Sequence, residues 1–261
     1  MEGYSVRQIT QQSGHSKNKL FRIVDQSLRE EPPNTTDSME KHRYLIFDGT
    51  FLHRPKSIVV LMDALDNKTF SGKYGVSENS ESQLTGYFEP LRTNGLNPVS
   101  CTLDGNPQAI KVIKKIWPEI IIQRCLVHIQ RQGLSWCRRY PKSVYARQLR
   151  KIFLRVTAIK TKEELGKFVK LVIQWERRYG RDIGQKPEKG WVFSDIKKAR
   201  SMLIKALPDM FHYLGDPSIP FTTNGLESYF SRLKGHYRQH RGLSRKKLEN
   251  YFHWYLFYKP K

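Results

Sequence analysis

Along this chain apolar residues recur first at helical spacing, then in β-branched and aromatic runs, then again at helical spacing, and each change of pattern marks a change of element. The first segment runs from Ser5 to Leu28. Ser5 is placed to cap a helix carrying Val6 and Ile9, Gly14 is a turn residue, and Ser16 is placed to cap a second helix carrying Leu20, Ile23 and Val24. The spacing predicts a helix-turn-helix. Such domains normally carry a preceding helix, and only four residues precede Ser5, so a head shortened at its N-terminus is expected. From Arg29 to Lys41 the string REEPPNTTDSMEK is polar, contains Pro32 and Pro33 and has no apolar period, as in a linker.

Three strand-like runs follow: Tyr44 to Leu52, Ser57 to Leu65 and, beyond the turn Asp66-Asn67-Lys68, Thr69 to Val76. Leu84, Tyr87, Phe88 and Leu91 give Glu81 to Thr93 a helical period. A strand over Val99 to Leu103, a helix over Pro107 to Trp117 and a strand over Ile120 to Gln123 complete the series. An antiparallel meander followed by crossovers predicts an α/β fold of ribonuclease H-like arrangement, a mixed sheet with helices on both faces. Strand signals then stop. Basic helices forming an insertion are expected, among them Thr161 to Tyr179, with Trp175 and Trp191 in the core of that insertion. Thr222-Thr223-Asn224 offers N-cap chemistry for a helix through Leu226, Tyr229, Phe230 and Leu233, and a last helix runs from Ser244 through Tyr255. The expected organisation is a head over 1–28, a linker over 29–41 and a catalytic domain over 42–261 with an α-helical insertion at about 135–215.

Charge narrows the partners. Lys and Arg number 46 against 24 acidic residues, a formal net charge of +22, and such an excess repels itself unless a polyanion neutralises it. The chain shows no apolar run near the length of a membrane span and no basic amphipathic helix with a Trp/Leu-rich face, so membrane association is not expected. The absence of a signal sequence and an odd count of three cysteines, Cys101, Cys125 and Cys137, point to free thiols in the cytoplasm.

Three acids stand out. Asp48 follows the apolar run Tyr44 to Phe47 and precedes Gly49; Asp104 follows the strand Val99 to Leu103 and precedes Gly105; Glu227 falls in the first turn of its helix. An acid at a buried strand end, followed by glycine, sits where the chain bends without covering it. Three converging carboxylates suit two Mg²⁺ ions, which take oxygen ligands and leave positions for water and phosphate. Turn capping by the two Asp residues and a helix-dipole role for Glu227 are the alternatives. Cations of the type that reach phosphates and base edges cluster in three places: Lys17, Asn18, Lys19 and Arg22 on the second head helix, Arg131 with Arg138 and Arg139, and the string RLKGHYRQHR with Arg232, Lys234, His236, Arg238 and Arg241. Cys125 and His128 supply only half a structural zinc site, and a third cysteine still leaves it short of four ligands.

The strings LIFDGTFL, CTLDGNPQAI, CLVH at Cys125 to His128, and TTNGLESYFSRLK closely resemble bacterial Mutator-type insertion-sequence transposases, from Tyr44 to the C-terminus. The resemblance implies a DDE transposase with a ribonuclease H-like core, Asp48, Asp104 and Glu227 as the catalytic triad, and Mg²⁺ or Mn²⁺ as cofactor. It also implies a Cys-x-x-His motif beside the active site, His128 contacting a phosphate, and double-stranded element ends and target DNA as partners. A homodimer or higher assembly on DNA is expected from it, acting in the cytoplasm on the nucleoid. A non-catalytic DNA-binding descendant of such an enzyme is the other reading.

Overall fold

The computed structural model describes residues 4–33, 38–53, 56–185, 191–238 and 243–260. Helices α1 (Val6–Ser13) and α2 (Lys17–Ser27) start at Ser5 and Ser16, whose hydroxyls accept from Gln8 N and Lys19 N, and the Gln8 side chain reaches back to complete a capping box. Gly14 turns the chain between them at φ 68°. Five strands form one mixed sheet in the order β3-β2-β1-β4-β5: β1 (Tyr44–His53), β2 (Lys56–Asp63), β3 (Thr69–Tyr74), β4 (Ser100–Leu103) and β5 (Ile121–Arg124). β1, β2 and β3 are antiparallel; β4 and β5 are parallel. Helices α3 (Glu81–Thr93) and α4 (Pro107–Ile116) are followed, after β5, by α5 (Leu126–Cys137), α6 (Val144–Arg155), α7 (Lys162–Trp175), α8 (Arg181–Gln185), α9 (Trp191–Ala206), α10 (Asn224–Tyr237) and α11 (Arg245–Tyr258).

These elements fall into two compact units, each built round its own core. The first contains 4–99, 106–120 and 224–260 of the described residues. Within it successive residues of a strand face opposite sides, and both sides are covered. Ile46, Ile58, Val60 and Met62 pack with Leu226, Tyr229, Phe230 and Leu233 of α10 and with Phe252 and Tyr255 of α11. On the other side Phe47 meets Phe88 of α3, which in turn meets Trp117 edge-on at 5.9 Å. β2 is therefore buried on both faces from Ser57 to Asp63. A buried pair, His42 Nδ1 and Asp63 Oδ2 at 2.7 Å, joins the start of β1 to the end of β2, with His42 stacked on Phe70. The end of α2 is held by α11: Asn250 donates to Leu28 O and Trp254 Nε1 to Ser27 O, while Lys247 pairs with Asp25.

The second unit contains 100–105 and 121–223 of the chain. Its core joins Leu126 and Ile129 of α5, Leu149 and Phe153 of α6, Phe168, Val172 and Trp175 of α7, and Ala199 and Leu203 of α9. α5 and α6 cross closely because Gly133 lacks a side chain: a Cβ there would lie 2.3 Å from the Phe153 ring. Trp175 is buried, as its helical period predicts; the side chain of Trp191 lies outside the described residues. Burial pushes the Cys137 thiol up to about 12. One backbone departure stands out. Arg138, which ends α5, has φ 64° and ψ 164°, a region that glycine occupies freely and other residues enter at a cost of about 1–3 kcal/mol.

Candidate active site

In the first unit Asp48 lies in the middle of β1, not at its end as the sequence suggests. It pairs with Val60, and Gly49 continues the ladder opposite Val59. Gly49 therefore does not bend the chain; its lack of a side chain admits Glu78, whose carboxyl carbon would lie 2.5 Å from a Cβ at that position. That acid had no sequence signal, because the contact depends on a loop folding back over the strand. By strand alternation Asp48 shares the face of Ile46, the face on which α10 and α11 pack. The Asp48 carboxylate accepts from Gly49 N at 2.8 Å.

Glu227 stands in the first turn of α10, where the helix dipole favours an anion. The helix start lies close to the sheet: a Cβ on Gly225 would be 3.0 Å from Met62 Sδ, and Leu226 beside it is fully buried. Asp48 and Glu227 are both half-buried. Two of the three sequence-predicted acids thus belong to one face of one unit.

In the second unit Asp104 follows β4 directly and is exposed. Here glycine does bend the chain, Gly105 having φ 103°. The space beside it is filled by Arg124 at the end of β5, whose Nη2 would lie 1.8 Å from a Cβ on Gly105 and donates to Asp104 O at 3.2 Å. Burial lowers the Arg124 guanidinium from its usual value, and the nearby charge of Asp104 opposes that shift. The arginine stays cationic next to a carboxylate, a partnership that sequence spacing did not reveal.

Cys125 is the N-cap residue of α5 and is fully buried. Thr223 N and Oγ1 lie 3.4 and 3.5 Å from its Sγ, and Thr223 Oγ1 lies 3.4 Å from His128 Nδ1. Burial raises the thiol, but the hydrogen bonds from His128 and Thr223 together outweigh it and bring it to about 7. The Cys-x-x-His motif therefore binds the residue that immediately precedes α10. Further bonds fix the same stretch: Thr102 Oγ1 donates to Pro220 O at 2.6 Å and Leu126 N to Phe221 O at 2.9 Å.

Among the described residues, no group of three or more His, Cys, Asp or Glu side chains is arranged to hold a metal ion. The three acids offer carboxylate oxygens only, a donor set that fits Mg²⁺ or Mn²⁺ in preference to softer metals.

The sequence profile of the Mutator family of transposases matches residues 68–201. The chain belongs to that family. The match spans Asp104, Cys125 and His128, while Asp48 and Glu227 lie outside the matched residues. No curated protein matches the chain. Membership in a transposase family implies a DNA-cleaving enzyme with DNA as partner. The basic residues expected to meet that partner are distributed over both units. Lys17, Asn18, Lys19 and Arg22 are exposed on α2, with Lys17 Nζ 5.7 Å from the Phe21 ring centre, and Arg131 is exposed on α5. On α10, Arg232 is exposed, Lys234 is half-buried, and His236 stands edge-on to Tyr255 at 5.5 Å; Arg238, just past the helix, is exposed. Arg241 lies outside the described residues. No described helix is long and apolar enough to cross a membrane.

Proposed function

We propose that this Mutator-family chain is a DDE transposase in which Asp48, Asp104 and Glu227 hold Mg²⁺ or Mn²⁺ and catalyse cleavage of element ends and their transfer to target DNA. The observation that carries the reading is the family match across Asp104 and the Cys-x-x-His motif. The strand order supports a ribonuclease H-like plan, since β1, which bears Asp48, stands next to β4, which leads into Asp104. When bound, the metal ions would activate the attacking water or 3′-hydroxyl and stabilise the leaving oxygen at phosphorus.

The protein's own groups have separable tasks in this reading. The three carboxylates supply the negative charge and hard oxygen ligands. Arg124 holds the backbone at Asp104 through its carbonyl. Cys125 holds Thr223, the residue that precedes α10 in the chain. His128 is half-exposed and lies beside Thr223, where an imidazole N–H can donate to a phosphate oxygen. The basic side chains of α2 and α10 contact the DNA backbone. Two copies acting on two element ends complete the proposal.

A second reading, a non-catalytic DNA-binding descendant, is favoured by the lack of a ready-made metal-holding group among the described residues. One assay separates the two. The full chain is incubated with Mn²⁺ and a duplex ending in the element's terminal repeat, and the strands are resolved on a denaturing gel. The transposase reading predicts metal-dependent nicks at the repeat boundary and longer, joined strands. DNA binding without any break would leave the second reading, and breaks without joined strands would reduce the enzyme to a nuclease.

A further inference from the structure

Half of the chain's net charge lies in one sixth of its length. Residues 120–162 contain eleven Lys and Arg and neither Asp nor Glu, against a net charge of +22 for the whole chain. Structural needs account for part of that run. Arg147 Nη1 donates to Lys142 O at 2.8 Å, and Arg150 Nη1 donates to Leu134 O and Arg138 O at 3.3 and 3.0 Å. These two arginines satisfy carbonyls at the end of α5 and in the loop that follows, groups a helix terminus leaves open. The loop 138–142 is held in place by them.

The side chains that the loop displays face solvent. Arg138, Arg139, Tyr140 and Lys142 are exposed, Tyr140 to 80%, with the Arg139 guanidinium 5.4 Å from its ring centre. Arg138 Nη2 forms a long ion pair with Asp195 at 3.9 Å, of the exposed kind that contributes little to stability. Arg138 also occupies backbone geometry suited to glycine. A cation retained where glycine would fit without strain points to a task for its side chain. The N-terminus of α6, capped by Ser143, adds the positive end of a helix dipole next to Lys142.

We infer that the loop Arg138–Lys142 of the second unit is a docking surface for the phosphate backbone of duplex DNA. Three guanidinium or ammonium groups and one phenol hydroxyl are donors that phosphate oxygens accept, and none of them reads sequence. The inference rests on the DNA-acting reading proposed above, but it needs binding alone and no cleavage.

The test is the salt dependence of binding by the full chain to a labelled duplex of arbitrary sequence, followed by fluorescence anisotropy. Each phosphate contact contributes about 0.9 to the slope of log K against log salt. The variant Arg138→Gly, Arg139→Gln, Lys142→Gln should lower that slope by about 2–3 and weaken binding about tenfold near physiological salt. A control that removes the same charge from the exposed residues Arg92, Lys114 and Lys115, each to Gln, should change the slope by less than about one. An equal fall in both variants would mean diffuse attraction and would overturn the inference, as would a slope unchanged by the loop variant. Loss of affinity confined to single-stranded DNA or to RNA would also overturn it. A wild-type chain that binds duplex but never cuts it contradicts the enzyme reading and leaves the surface standing. Arg138→Gly alone should raise Tm by roughly 2–4 °C while losing about one unit of slope; a lower Tm would contradict the strain on which the argument draws.

Discussion

Asp104→Asn should leave the chain folded and bound to DNA while lowering its Mn²⁺-dependent strand cleavage by about a thousandfold or more. Asparagine keeps the shape of the side chain and removes its negative charge, and a metal bound by carboxylates loses a ligand and a compensating charge together. Lewis-acid stabilisation by such an ion amounts to several kcal/mol, and each 1.36 kcal/mol is about a factor of ten in rate. Stability should change by no more than about 0.5 kcal/mol, because Asp104 is exposed. Its backbone carbonyl, which the substitution keeps, accepts from Arg124. Gel quantification of single-turnover cleavage, run beside a thermal melt, checks both halves. Residual cleavage within about tenfold of wild type would remove Asp104 from the catalytic set.

The second large effect concerns the neighbour of that acid. Gly105→Ala should destabilise the chain by about 2–4 kcal/mol and lower Tm by roughly 5–15 °C. Two costs add. A φ of 103° suits glycine alone, and a Cβ would fall 1.8 Å from the Arg124 guanidinium, which is already largely withdrawn from water. Displacing that group also releases the carbonyl of Asp104 that it holds. In an Arg124→Ala background the clash disappears and the backbone cost remains, so the alanine at position 105 should cost less there than in wild type. A full set of four melts measures this coupling. Equal costs in both backgrounds would show that Arg124 does not determine the need for glycine.

Local chemistry made much of this fold legible. The caps at Ser5 and Ser16, the helix Glu81–Thr93 and the three antiparallel strands are where the apolar period and the turn residues put them. These features depend on neighbours within a few residues. The fifth strand is shifted by one residue, to Ile121–Arg124, where its four residues pair in parallel with Ser100–Leu103, a register that only the folded sheet sets. After β5 the helix expected over Thr161 to Tyr179 is found as α7, Lys162–Trp175, whose apolar period buries Phe168, Val172 and Trp175, while the helices around it were expected only as a basic helical stretch.

At the site, the acids were found because each has a local sign: an apolar run before it, a glycine after it, or a capped helix start. The glycine rule worked for Asp104 and misled for Asp48, where the strand runs on through Gly49. Glu78 and Arg124 had no local sign at all, and the N-cap string Thr222-Thr223-Asn224 gave no sign of what Thr223 contacts. Thr223 meets Cys125 across 98 positions of chain, and only the folded backbone joins them. The left-handed conformation of Arg138 is likewise invisible in sequence, which would place glycine there.

The central claim is that Asp48, Asp104 and Glu227 share one metal site, and affinity cleavage by iron tests it directly. Fe²⁺ with ascorbate, loaded onto the DNA-bound full chain in place of Mg²⁺, generates hydroxyl radicals that cut backbone near the ion. Peptide mapping should then find cuts at three distant places, around Asp48, Asp104 and Glu227, all suppressed together by excess Mg²⁺. Cuts near only one of these residues, or cuts that Mg²⁺ leaves unchanged, would contradict a shared site.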